Sequence, residues 1–199
     1  MAQQSLTSTG RTRSGTTSVA ASAGIGVLAA AIGYLVTYAL IGSEVGDEFG
    51  DGVAEWKAVA WYFYNAHMVD VEARGAIGGI GGTDTVDFIA QSGSTNAELL
   101  YLVPPLVLLL VGAILAFQWD VRDVGEAVVA GAPVTIGYAV VVGLGAIVAE
   151  SSAERTFFGI EASGSMAPEL VPAIVLAGLL YPLVFATAGA VLVTIVRSR

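Results

Sequence analysis

Four stretches of this chain carry no charged side chain, and each is long enough to cross a lipid bilayer. They cover residues 19–41, 99–119, 127–149 and 170–196, and every Asp, Glu, Lys, Arg and His lies outside them. A hydrocarbon core about 30 Å thick takes about 20 apolar residues of helix. Only helices and closed barrels satisfy their backbone in lipid. Barrel strands would alternate polar with apolar residues, and these runs do not. The sequence predicts an all-α integral membrane bundle of four transmembrane helices. It forms a single domain over 19–196, with a disordered cytoplasmic tail at 1–18 and a cytoplasmic end at 197–199.

Composition agrees. The 199 residues are 55% hydrophobic and 13% charged, where soluble domains average about 45–50% apolar and about 25% charged. With no cysteine there is no disulfide framework and no thiolate metal site. A net charge of −9 opposes nucleic-acid binding. The Ser/Thr-rich start is followed by 23 apolar residues, too long for the 7–15-residue core of a cleaved signal, so it reads as an uncleaved anchor.

Basic residues orient the helices. Arg11, Arg13, Arg122, Arg197 and Arg199 fall on one side, and Lys57, Arg74 and Arg155 on the other. This places both termini in the cytoplasm of a multi-pass cell-membrane protein. Fourteen of the 17 carboxylates then face outward, ten of them in the loop 42–98. With a single lysine, this is the acidic surface of a salt-adapted protein. At molar salt the Debye length is about 3 Å, so such a surface does not repel itself over long range.

Within that loop, residues 58–69 are too short to span and fit an interfacial or re-entrant segment. Trp56, Val59, Ala60, Phe63 and His67 share one helical face, and Asp47, Asp51 and Glu55 suit a helix N-terminus. An amphipathic helix is predicted from Val53 to Val69. It lies on the outer leaflet or plugs the top of the bundle. Trp56, Trp61, Tyr62, Tyr64, Tyr101 and Trp119 are the candidate membrane-interface aromatics. The glycine-rich run 75–83 lacks the Lys-Ser/Thr of a phosphate loop and reads as a flexible connector. The segment 85–90 reads as a short helix or strand.

Candidate chemistry is sparse. His67 with Asp70 and Glu72 is the one grouping with metal-ligand or acid–base residue types. A structural histidine is the simpler reading. Nothing surrounds a serine as a nucleophile elbow does, so no enzyme activity and no cofactor are predicted. Proton and ion paths place ionisable groups inside the membrane, and these spans have none. Pro104, Pro105 and Pro182 are candidate helix kinks, with Pro182 the strongest. Gly131, Thr135, Ala139 and Gly143 recur every fourth residue in the third span. Gly178, Ala186 and Ala190 mark a matching stripe in the fourth, so these are candidate helix-packing positions.

Several segments together resemble an uncharacterised family of multi-pass membrane proteins from halophilic archaea. They are Tyr34 to Tyr38, Trp56 to Val59, Phe63 to His67, Val86 to Ile89, Tyr101 to Pro105, and Tyr181-Pro182. The resemblance implies the four-helix architecture and an archaeal plasma membrane, and it brings no activity. The expected function is a non-enzymatic structural or partner-binding role. The expected partners are the lipid bilayer and either a homo-oligomer or another membrane protein. Two alternatives stand beside it: a small permease or channel, and a loop-based metal or pH sensor at His67.

Overall fold

The computed structural model describes residues 15–49, 52–157 and 160–198. The expected tail falls mostly outside them. Four helices in it are long and apolar enough to cross a membrane: Val19–Phe49, Thr95–Gln118, Val124–Val148 and Leu170–Arg197. They correspond to the four charge-free stretches, with one difference in length. Helix α1 runs from Gly15 to Phe49, so Gly42 to Phe49 continue the helix where a loop was expected. The residues Ser43-Glu44-Val45-Gly46-Asp47-Glu48 expose their polar side chains and bury Val45, which is ordinary amphipathic continuation.

The chain is not all-α. Two hairpins, β1 (Val71–Ile77) with β2 (Ile80–Val86) and β3 (Ser151–Phe157) with β4 (Ile160–Pro168), join into one antiparallel sheet of order β2-β1-β4-β3. The supposed flexible connector at 75–83 is the first hairpin. Its two-residue turn is Gly78-Gly79, with φ of 59° and 85°. Paired positive φ values are what a type I′ turn requires, and it matches the twist of the flanking strands. The sheet lies between the first and second spans and between the third and fourth, so both hairpins emerge from the same end of the bundle.

The remaining elements are α2 (Glu55–Asn65), α3 (Phe88–Ser92) and α4 (Thr95–Leu99), then a 3-10 turn at Leu100–Leu102 leading into α5 (Val103–Gln118). After these come α6 (Val124–Gly131), α7 (Val134–Val148), α8 (Leu170–Pro172), a π-helical stretch at Ala173–Leu180, and α9 (Tyr181–Arg197). Pro104 and Pro105 sit in the first turn of α5, where a missing N–H costs nothing. The sharper interruption is Pro133, which separates α6 from α7. There the Ser22 hydroxyl donates to the Ala130 carbonyl at 3.0 Å. In the fourth span the π stretch ends just before Pro182, and the Tyr181 N–H donates to Leu176, five residues back.

In the bundle, α1 packs on α7 and α5 packs on α9. Both contacts are backbone to backbone. A Cβ on Gly137 would stand 1.8 Å from the Ala23 carbonyl oxygen, and one on Gly112 would stand 1.8 Å from that of Ala186. Small residues allow this approach, and with it close dispersion contact between the helices. Of the predicted packing positions, Gly131 lies against Ala186 and Thr187, and Gly178 against Ala139. Ala190 is buried, and Gly143 has room beside Ile174. The Thr135 hydroxyl is buried without a hydrogen-bond partner.

Candidate functional site

Helix α2 is a plug. Every residue from Ala58 to His67 is buried within the protein. It packs chiefly on α1, and the polar side-chain atoms it buries meet neighbours. Trp61 Nε1 donates to the Ala149 carbonyl at 3.0 Å and the Tyr64 hydroxyl to Val142 at 2.5 Å, both on the third span. The Tyr62 hydroxyl donates to Glu48 at 2.9 Å, and Lys57 Nζ to the Glu150 carbonyl. Burial, then the Glu48 carboxylate, raises the Tyr62 pKa. Trp61, Tyr62 and Tyr64 are therefore buried within the protein. Trp56 is exposed, while Tyr101 and Trp119 are half-buried, with the Tyr101 hydroxyl on Asp87 at 2.8 Å.

His67 sits at the foot of this plug, fully buried. Its Nδ1 lies 2.7 Å from the Phe63 carbonyl, which can only accept, so Nδ1 carries the hydrogen. Nε2 then accepts from the Tyr138 hydroxyl at 2.8 Å. The Tyr181 ring is 5.0 Å away. Both nitrogens are engaged, and burial lowers the imidazole pKa to about 4, against a weaker opposing effect of the Phe63 carbonyl. Asp70 and Glu72 are not brought to it. Asp70 accepts at its backbone from Glu169, and Glu72 pairs with Arg74 on the sheet. Among the described residues no group of three or more His, Asp or Glu could hold a metal ion.

Asn65 is the clamp between plug and sheet. It is fully buried, donates to the Val69 and Val86 carbonyls at 3.0 and 3.3 Å, and accepts from the Phe88 N–H at 2.9 Å. Those bonds fix where β1 begins and where β2 ends.

The sheet that starts there has two unlike faces. In a strand, residues two apart share a face, and residues paired across an antiparallel ladder share it too. The registers β1–β2, β1–β4 and β3–β4 then define rows. One face carries Val86, Val71 and Pro168 at its base, then Asp84, Ala73, Met166 and Ser151. Above these come Gly82, Gly75, Gly164 and Ala153, then Ile80, Ile77, Ala162 and Arg155, and Ile160 continues the face at the tip of β4. The opposite face carries Glu72, Arg74, Thr83, Thr85, Ser163, Ser165, Glu161, Ser152, Glu154 and Thr156, with Ala76, Gly81 and Ala167 among them. The first face is apolar apart from Asp84, Ser151 and Arg155.

Only the base of the apolar face is covered. Val71 and Pro168 are buried, and above them an open hollow separates Ala73 and Met166 from Val53 and Trp61. Beyond it, Ile77 is 67% and Ile80 is 84% exposed. A shallow groove runs there over Gly75, Gly164 and Ala153, with Ile77 and Ile80 at its rim. Scattered exposed apolar residues are ordinary, but a contiguous patch marks an interaction surface.

The chain belongs to a family of unknown function, DUF7978. The match covers residues 1–197. No curated protein and no solved structure matches. DUF7978 membership agrees with the resemblance to an uncharacterised family and assigns no activity, so the site rests on its own geometry.

No residue of the apolar face appeared among the sequence candidates. The signal was present in Ile77-Gly78-Gly79-Ile80, a two-glycine turn between isoleucines. Gly75, Gly81 and Gly82 in the flanking strands masked the alternation.

Proposed function

We propose that this is a non-enzymatic multi-pass membrane protein that presents an outward docking surface. The four spans hold the plug α2, the plug holds the sheet through Asn65, and the exposed apolar face of the sheet receives a partner. Both termini lie in the cytoplasm, as the distribution of arginines suggests, and the acid-rich outer surface suits a salt-loving archaeal membrane.

The observation that carries this reading is the division of the sheet into one polar and one apolar face, with Ile77 and Ile80 open on the latter. An antiparallel sheet exposed on both sides needs polar residues on both. This one has most of them on one side, with Asp84, Ser151 and Arg155 alone on the other, as half of a two-layer structure does.

The test is a pair of double variants compared on native gels of gently solubilised membranes. Ile77→Asp with Ile80→Asp charges the apolar face, and Ser163→Asp with Ser165→Asp charges the polar one. The expected result is loss of the higher-mass species for the first pair alone. Unchanged mobility in both overturns the reading.

A second reading is favoured by one specific observation. The break at Pro133 and the π stretch at Ala173–Leu180 lie in adjacent helices, and the buried hydroxyls of Thr135 and Thr187 there have no partner. Interrupted helices expose backbone groups at transport sites, which supports a small permease. Solute efflux from liposomes holding the protein, measured over a broad panel, tests it. Efflux equal to that of empty vesicles removes it.

A further inference from the structure

Between the sheet and the chain leading into α2 lies the open hollow, about 670 Å³ in volume. Sites for small organic molecules run from about 300 to about 1,000 Å³. Ala73 and Met166 wall the hollow on the sheet side, and Val53 and Trp61 face them. Its floor is glycine. Gly82, Gly75 and Gly164 stand side by side on β2, β1 and β4, with Ala153 next on β3. We infer that this hollow binds a small organic cation, an ammonium group carried on an apolar body. The inference goes beyond the docking reading, because Ile77 and Ile80 lie outside the hollow.

The rest of the chain does not account for that floor. A Cβ on Gly75 or Gly82 would meet nothing within 4 Å, and one on Gly164 only the Arg74 carbonyl oxygen at 3.7 Å, an ordinary contact. None of the three has a positive φ. Neither crowding nor backbone conformation demands glycine at these positions, although glycine weakens a strand. Glycine inside a strand otherwise marks where a ligand or another backbone comes close. Here the space above it is the hollow.

Charge selects the ligand. Asp84 lines the hollow on the same face as Ala73 and Met166. Its Oδ1 accepts from the Thr85 N–H at 2.9 Å, and among the described residues no Lys or Arg pairs with it. Arg74 also borders the hollow, but its side chain belongs to the opposite face and pairs with Glu72. Arg155 stands on the far edge, three strands from Asp84, or about 14 Å at the usual strand spacing. One end of the hollow thus carries an unpaired carboxylate, in a chain of net charge −9. That end attracts a cation and repels an anion. The ammonium sits at Asp84, and the apolar body lies across the glycine floor beside Met166 and Val53, where leaving water holds it. No lining residue belongs to the four long apolar helices, which favours a ligand taken from solution over a lipid chain.

Benzyltrimethylammonium and phenylmethanesulfonate have nearly the same shape and opposite charge, so they separate the two contributions. Each is dialysed to equilibrium against the purified full-length protein in detergent, with empty micelles as the blank. The expected result is saturable uptake of the cation, about fivefold tighter than that of the anion, the scale of an exposed ion pair. Asp84→Asn should remove the difference. Gly75→Val raises the floor and should weaken cation uptake about tenfold by steric exclusion. Ser163→Val, on the opposite face, should leave it unchanged. Gly75 has open space at its Cβ and Ser163 is exposed, so folding is not at stake. Cation uptake no greater than the micelle blank overturns the inference. So does equal affinity for the two ions in the unaltered chain, or uptake that Asp84→Asn and Gly75→Val leave intact. The native-gel result for Ile77→Asp with Ile80→Asp bears on the docking surface alone.

Discussion

The Tyr138 hydroxyl on the third span donates to Nε2 of His67 across 2.8 Å, and both residues are buried. This bond ties the plug to the bundle and sets the imidazole tautomer. A buried acceptor stripped of its donor costs about 1–3 kcal/mol. Tyr138→Phe keeps the ring and removes the donor, so it is expected to lower stability by that amount. Denaturant unfolding of the purified protein checks it.

His67 also makes stability depend on pH. Its folded pKa, about 4, lies below the 6.5 of an exposed imidazole. Between those values the unfolded chain binds the proton and the folded chain does not. This contribution is therefore whole above about pH 6.5 and is lost as pH falls toward about 4, by at most about 1.4 kcal/mol per pH unit. Melting temperatures across that window should fall on acidification in the wild type. In His67→Gln this part of the slope should be missing.

Met68 ends the plug in the left-handed region, at φ 59°, with its side chain exposed. The Val69 N–H reaches back to Tyr64 and the Met68 N–H to Asn65, the paired bonds of a helix C-cap that glycine usually occupies. A side chain there costs about 1–2 kcal/mol. Met68→Gly is expected to raise stability by about 1 kcal/mol, since glycine also loses more freedom on folding. Thermal unfolding decides it, and a lower melting temperature contradicts it.

Gly112 and Gly137 are the contact points of the two helix pairs. Because a Cβ at either would meet a carbonyl oxygen at 1.8 Å, Gly112→Ala and Gly137→Ala must push helices apart, and each is expected to cost about 1–3 kcal/mol. Gly46→Ala, where no neighbour lies within 4 Å, is the matched control and should be near neutral by the same assay.

The four long helices were readable because each is a run of about twenty or more residues without charge, as from Val19 to Ile41. The plug was located, but its setting was not. The aromatic character of Trp61, Tyr62 and Tyr64 suits a wet interface and a hydrogen-bonded interior equally well. Only the acceptors at Ala149, Glu48 and Val142 decide between them, and those are distant in sequence. Apart from the alternative of a strand at 85–90, whose first two residues end β2, the strands were not read. Their inner positions are Gly75, Gly82, Gly164 and Ala153, residues with little strand preference. Pairing between β1 and β4 spans some ninety residues of chain and leaves no local trace.

The account depends on the apolar face being covered in the living membrane, and labelling two neighbours on β4 tests that most directly. Gly164→Cys points from the apolar face and Ser163→Cys from the polar one, and both positions are exposed in the single chain. With a membrane-impermeant maleimide applied to intact cells, Gly164→Cys should react about tenfold more slowly than Ser163→Cys, because a seated partner excludes water. The difference should vanish when Ile77→Asp and Ile80→Asp are added. Equal rates at the two positions in the otherwise unaltered chain would contradict the account.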